Sequence, residues 1–351
     1  EVSFGTEQNL VGSARMTQLL FDGSYIVGLQ ATKSYIEFFN NALKKTNLEV
    51  IKSVVNAYMN YLLSEANIDF IDKNIENLER TLRETNKLLV NGLTEEEKVE
   101  QLKITLSELN SQRKFAFQFS QLSKDILKIT LGFGEKEELN LETSLNSIID
   151  SYIFKIPEID SWDLNSNIDI KIANNYVEQK RLEYKLEQSK ALPKLSSFIS
   201  AAYTGNSNSF TFNDQNQKWF GSALFGVNLE FPIFSSLGRS ASSQIAKISY
   251  EQSKTKLENT QQQIKISVKN AKATYELAFE NFSIKKSNMD LAENIERKNQ
   301  TKFSQGMASS FELRQAQKQL FTAQQNYLES LKNLVTKKTE LETLLNIYNN
   351  Q

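Results

Sequence analysis

Residues Gly238–Gly306 read GRSASSQIAKISYEQSKTKLENTQQQIKISVKNAKATYELAFENFSIKKSNMDLAENIERKNQTKFSQG, with no Pro and no Gly between the two end glycines. Gly and Pro are the residues that most oppose a helix interior, so their absence allows one continuous helix. Apolar or small residues then recur at Ile264, Val268, Ala271, Tyr275, Ala278 and Phe282. Steps of four and three form a narrow coiled-coil seam rather than a broad globular face. About 67 residues at roughly 1.5 Å each make a helix on the order of 100 Å long. A second segment without glycine runs on from Gly306, with a seam at Leu313, Ala316, Leu320, Ala323, Tyr327, Leu334, Leu341, Leu345 and Tyr348. The spacing predicts a helical hairpin that turns at Gly306.

The first half of the chain repeats this plan at an offset of about 214 residues. Ala31, Ser34 and Tyr35 match Ala246, Ser249 and Tyr250. Val54, Asn56, Ala57 and Tyr61 match Val268, Asn270, Ala271 and Tyr275. Gly92 matches Gly306, and Leu131 matches Leu345. The chain is therefore a duplicated unit of long helix, glycine turn and shorter helix, too long a repeat for a short solenoid motif.

Composition narrows the chemistry. The 351 residues carry a net charge of −1, so no strong field draws nucleic acid, and none is expected as a partner. Cys and His are both absent, which removes thiol chemistry, the usual zinc ligands and any His-activated nucleophile. No Gly-rich phosphate loop is present either, so neither an enzyme nor a cofactor or metal site is expected.

Taken in order, residues 1–24 hold a strand at Ser13 to Phe21, and 25–131 hold the first long helical hairpin. Its seams run Ile51, Val55, Tyr58, Leu62, Ile68, Ile71, Ile75, Leu78, Leu82 and Leu89, then Val99, Leu102, Leu106, Leu109, Phe115, Phe119, Leu122, Ile126 and Ile129. Asn91-Gly92 is a helix stop, and Thr94-x-x-Glu97 reads as a capping box. Residues 132–163 form a linker containing Glu135, Glu137, Glu138, Pro157 and Trp162, with room for a short helix. A helix is expected over 164–192 and ends at Pro193. Residues 193–235 form a β-hairpin, and 236–351 the second long helical hairpin.

Within that β-hairpin, Trp219, Ala223, Phe225, Val227, Leu229, Phe231 and Ile233 alternate with Ser222, Gly226, Asn228 and Glu230. Period two with one wholly apolar face marks a strand. An ordinary half-buried sheet would give this pattern, and so would a strand facing lipid. The flanking helices spend their seams on each other and leave nothing to cover the face. Its length also exceeds the 9–11 residues a membrane strand needs. Each repeat supplies one hairpin, so the chain supplies about four strands, too few to close a barrel. Open edges are not tolerated in lipid, so several chains must share the wall, and three would give twelve strands.

Three short motifs now carry a resemblance. Ala191-Leu192-Pro193-Lys194-Leu195-Ser196, Asn228-Leu229-Glu230-Phe231-Pro232-Ile233-Phe234, and Phe303-x-x-Gly306 with Ala316-Gln317 after it resemble the second half of the TolC family of outer-membrane efflux proteins. Leu20-Phe21-Asp22-Gly23 resembles the matching segment of the first half. The likeness extends over nearly the whole chain. It implies a mainly α fold with a small antiparallel β part: long coiled-coil-like helices in an α-barrel, and two β-hairpins per chain in a homotrimeric, twelve-stranded transmembrane β-barrel. It further implies an outer-membrane location with most of the chain in the periplasm. The partners implied are a periplasmic adaptor and an inner-membrane pump, in efflux of drugs or type I secretion of proteins. A soluble or periplasmic coiled-coil scaffold, or an adaptor, is the alternative, but an adaptor would carry a lipoyl-like β domain and a soluble scaffold leaves the apolar strand unexplained.

The second repeat has a helix and a strand that the first lacks, so about 50–60 residues holding both are expected upstream. The family's equatorial domain, built from 132–163 and the C-terminus, is expected to be reduced. By the same resemblance Glu312 falls at an acidic gate position of the periplasmic tip, with Gln315 replacing a second acid and Phe303 preceding the turn. Three copies of Glu312 would form an anionic ring. Ser309-x-x-Glu312 also reads as a capping box, and that reading stays open beside the pore-lining one. Glu95, Glu96 and Glu97 suit a helix N-terminus through its dipole. The turns at Gly92 and Gly306 are the expected adaptor contacts.

Overall fold

The structure, a computed structural model, describes residues 5–134, 137–141, 145–149 and 162–350. Pro157 and much of the 132–163 linker, with the short helix expected there, fall largely outside the described residues. Among those described, one helical turn stands at Leu145–Ile148. The elements in chain order are β1 (Gln8–Asp22), α1 (Gly23–Val90), α2 (Glu96–Leu131), α3 (Ile168–Ser189), β2 (Lys194–Ser207), β3 (Trp219–Glu230), α4 (Gly238–Ser304) and α5 (Ser310–Leu344). The chain divides into two compact units, Glu1–Asn41 with Lys171–Thr260, and Ala42–Ile170 with Gln261–Gln351.

The first unit contains a three-stranded antiparallel sheet in the order β1-β2-β3. The strand expected within 1–24 pairs along nearly its whole length with β2, from Gln8 against Ser207 to Asp22 against Lys194. A register shift between Leu19 and Phe21 re-aims the base of β1. Strand β3 is shorter than its alternating pattern suggested. It ends at Glu230, so Phe231 and Ile233 lie beyond the ladder. Pro232, which has no N–H to donate, sits between them. Beside the sheet, Asn175 of α3 donates from Nδ2 to the backbone oxygen of Ser34 on α1 at 3.0 Å.

The second unit is built on the coiled-coil seams. Ile264, Val268, Ala271, Tyr275, Ala278 and Phe282 of α4 are all buried, as are Leu313, Ala316, Leu320, Tyr327, Leu334, Leu341 and Leu345 on and just after α5. The Phe282 and Tyr327 rings lie 5.7 Å apart between these two helices. Helix α1 reaches α2 through a bidentate pair between Arg113 and Asp72, and α5 through a ladder of polar bonds.

Helix α2 departs from expectation. Its upper seam Phe115, Phe119, Leu122, Ile126 and Ile129 is exposed, and the residues buried instead are Ala116, Ser120, Ser123 and Leu127. Small side chains face α1 and let the two helices approach closely, and the large apolar ones point away. The heptad steps located a seam correctly but could not say which of two adjacent stripes the chain itself covers. In α1 the burial is also narrower than the seam: Leu62, Ile71 and Leu78 are buried, while Ile51, Val55, Tyr58, Ile68, Ile75, Leu82 and Leu89 are half-buried.

Candidate membrane sheet and helix-turn tip

Residues paired across an antiparallel ladder point to the same side of a sheet. The register aligns Met16 with Ile199 and Phe225, and Ala14 with Ala201 and Ala223. It aligns Leu195 with Leu229, Ser197 with Val227, and Gly205 with Trp219. One face therefore carries Leu10, Met16, Leu195, Ile199, Tyr203, Trp219, Ala223, Phe225, Val227 and Leu229, interrupted by Gln18 and Ser197 near the helical end. This face is bare: Phe225 alone is 68% exposed. The stripe read from β3 alone thus extends across all three strands.

The opposite face is mainly small and polar, with Ser13, Arg15, Thr17, Ser196, Ser200, Ala202, Thr204, Ser222 and Asn228 in register. Its apolar exceptions include Phe198, whose ring lies across Gly226. A Cβ at Gly226 would come within 2.7 Å of that ring. The Arg15 guanidinium stacks on the Phe198 ring at 4.3 Å from its centroid. Such cation–π contacts stabilise a charge over an aromatic ring.

The two helix turns are built alike, as the repeat requires. Gly92 and Gly306 have φ of 70° and 75°. The Gly92 N–H donates to the Leu89 carbonyl at 2.9 Å and the Leu93 N–H to that of Leu88 at 2.8 Å. The Gly306 N–H donates to the Phe303 carbonyl at 3.0 Å and the Met307 N–H to that of Lys302 at 2.8 Å. Both are left-handed helix caps that glycine adopts without a Cβ penalty. Phe303 is half-buried in the last turn of α4.

The helix starts beyond the two turns differ. Ser309 caps α5: its Oγ accepts the Glu312 N–H at 3.2 Å, and Glu312 Oε2 accepts the Ser309 N–H at 2.7 Å and its hydroxyl at 2.9 Å. The backbone bond from Ser309 foremost, then its hydroxyl and the charge of Lys302, hold the Glu312 carboxyl below its ordinary value. The corresponding box at Thr94 and Glu97 does not form. Glu95 takes the N-cap with extended backbone and no side-chain bond, and Glu97 Oε1 accepts from Gln101 Nε2 at 2.8 Å instead. Gln315 is exposed one turn beyond Glu312 and faces a cleft of about 550 Å³ between α1, α2, α4 and α5.

That cleft holds a group the seam pattern did not single out. Glu296 is only 8% exposed, and its burial raises its carboxyl above the ordinary value, with Arg80 partly opposing. Gln317 Oε1 is buried on the same cleft without a donor among the described residues. An acid in a heptad series reads as a solvated position, and only the packing reveals it as buried. Among the described residues no three His, Cys, Asp or Glu side chains gather in a group able to hold a metal.

Known proteins share this architecture. The family model described as "Outer membrane efflux protein" matches residues 163–346, just over half of the chain. Among solved structures, CusC, studied for conformational changes accompanying folding and transmembrane channel formation, superposes with a TM-score of 0.75 at 17% identity, covering 96% of this chain and 83% of that one. The outer membrane protein VceC of the bacterial pathogen Vibrio cholerae gives 0.70 at 15%, covering 97% and 87%. The open state of the MtrE outer membrane channel of Neisseria gonorrhoeae gives 0.73 at 14%, covering 98% and 80%. At these identities the likeness is one of fold. No curated protein matches the sequence. Among the described residues no helix is long and apolar enough to cross a membrane, which does not bear on a β-barrel.

Proposed function

This chain belongs to the outer membrane efflux protein family, and on that basis we propose that three copies form a passive exit duct through the outer membrane. In this reading the sheets of the three copies share the wall of one closed β-barrel, and the long helices continue it as a tube in the periplasm. A periplasmic adaptor and an inner-membrane pump load the duct with drugs or proteins, and the adaptor meets the turns at Gly92 and Gly306. The duct itself performs no chemistry. Its role is to carry cargo past a hydrocarbon layer.

One observation carries this reading. The sheet has one bare apolar face and two edge strands, β1 and β3. Hydrocarbon favours the face and forbids the edges, because an unpaired backbone N–H or C=O there costs several kcal/mol (~2–7). Copies of the chain arranged around a ring satisfy both demands. Strands of 15, 14 and 12 residues are long enough to cross. The opposite face, small and polar apart from Val11, Leu19, Phe198, Phe220 and Leu224, then lines water.

At the periplasmic end Glu312 contributes charge. Capping keeps its carboxyl ionised, so serving α5 and serving a lumen are compatible, and three copies would favour cations. The deciding experiment is extraction: the full chain is expected to need detergent and to run there as a trimer. A monomer that stays in solution without detergent would overturn the duct.

A further inference from the structure

The cleft of about 550 Å³ between α1, α2, α4 and α5 lies within one compact unit of one chain. Its inner wall has acceptors without donors. Glu296 lines it at 8% exposure, and among the described residues no hydrogen bond or ion pair reaches its carboxylate. Gln317 lines the same cleft with its Oε1 buried and without a donor. One turn beyond Glu296, on the same face of α4, Gln300 donates from Nε2 to Thr81 Oγ1 at 2.5 Å and leaves its own Oε1 buried without a donor. Buried acceptors normally find partners, and one left alone is costly.

The chain supplies little positive charge to this acid. Burial raises the Glu296 carboxyl, and Arg80, itself exposed, opposes that only in part. Arg314 and Lys318 also line the cleft, but neither bonds to Glu296. Helix packing does not demand an acid here, since the repeat offset puts Leu82 of α1 at the matching position. The neighbouring wall is hydrocarbon: Leu78 and Leu320 are buried and Phe321 is half-buried. A hard metal ion takes about six or more oxygen ligands, more than one carboxylate beside such a wall provides. An ammonium has three donors for a few acceptors and carries its own apolar stem. The volume is that of a small-molecule site.

We propose that this cleft binds a small amphipathic amine, whose ammonium donates to the Glu296 carboxylate and the Gln317 Oε1 while its hydrocarbon body lies against Leu78, Leu320 and Phe321. The ligand bridges the two repeats, since α1 and α2 come from one and α4 and α5 from the other. Binding to the folded unit alone stabilises it by mass action. The site goes beyond the duct reading and does not rest on it, because a single chain holds all of it.

The probe is phenethylamine, protonated at neutral pH, dialysed to equilibrium against the full chain in nonionic detergent, with protein-free detergent as the blank. Saturable binding of one probe per chain is expected. Glu296→Gln should weaken it by roughly tenfold or more, because hydrogen bonds to charged groups are the strong ones. That variant is expected to be at least as stable as the parent, so its lost binding reads the site and not unfolding. Gln317→Leu should weaken binding less. Glu293→Gln, at an exposed acid of α4 outside the cleft, should leave it unchanged. No saturable binding, or equal binding to Glu296→Gln, would overturn the inference. So would equal binding of neutral phenethyl alcohol, tighter binding of phenylacetate to Arg314 and Lys318, or displacement of the probe by equimolar magnesium. Oligomeric mass in the same detergent separates the two levels. A trimer that ignores the amine leaves the duct standing without this site, whereas a monomer that binds it keeps the site and overturns the duct.

Discussion

The Glu312 carboxylate accepts the Ser309 backbone N–H at 2.7 Å while Ser309 Oγ accepts the Glu312 N–H at 3.2 Å. This reciprocal pair fixes the first turn of α5 and the orientation of an acid at the tip. Replacing Ser309 by Ala should cost about 1 kcal/mol of local stability, read as faster hydrogen exchange at residues 310–313. Because the Glu312 carboxyl is held below its ordinary value, this contribution is present above the ordinary carboxylate range and is lost as pH falls through the lowered value. Protection factors at these amides, corrected for the intrinsic pH dependence of exchange, that stay flat down to pH 3 would contradict it.

The charge of Glu312 has a separate readout. In planar bilayers Glu312→Gln should reduce the preference for cations over anions and leave the trimer intact. An unchanged reversal potential in a salt gradient would remove Glu312 from the lumen and leave it a capping residue.

Gly306→Ala and Gly92→Ala should each destabilise the protein by about 1 kcal/mol or more, since both sites require positive φ. A Cβ at either position meets no atom within 4 Å, so the cost is backbone strain alone. Urea midpoints equal to the parent's would refute this. If these turns dock an adaptor, the variants should also lose efflux in cells at normal expression.

The two faces of β3 should respond oppositely to charge. Phe225→Arg sits on the apolar face and should cost roughly 2–4 kcal/mol near a bilayer midplane, seen as failed insertion into vesicles. Ser222→Arg, on the other face of the same strand, should insert normally. Equal tolerance of both would place that face somewhere other than lipid.

Glu296→Gln should stabilise the protein at neutral pH, by on the order of 1 kcal/mol, by removing a buried charge with little compensation. Its carboxyl is raised, so the native state binds its proton more tightly than the unfolded chain does. The penalty is absent well below the ordinary carboxylate value and grows as pH rises through the raised one. The advantage of the variant should therefore shrink at acid pH, and an advantage independent of pH would assign it to packing alone.

The one-dimensional pattern determined a great deal here, because two of its periods are physical. The absence of Gly and Pro, with heptad steps from Ile264 to Phe282, dictated a long helix with a buried seam. Alternation from Trp219 dictated a strand with an apolar face, the glycine spacing dictated the turns, and the offset of about 214 residues dictated that both halves share one plan. Periodicity names a stripe but not its partner, so the rest waited on tertiary structure. Which α2 stripe meets α1 was decided by the small side chains of Ala116, Ser120 and Ser123, which permit close helix approach. The face on Met16 and Ile199 that continues Phe225 was decided by strand register, and the burial of Glu296 by the convergence of four helices. Local residues set what each element can bury, and only the packed neighbours set what it does bury.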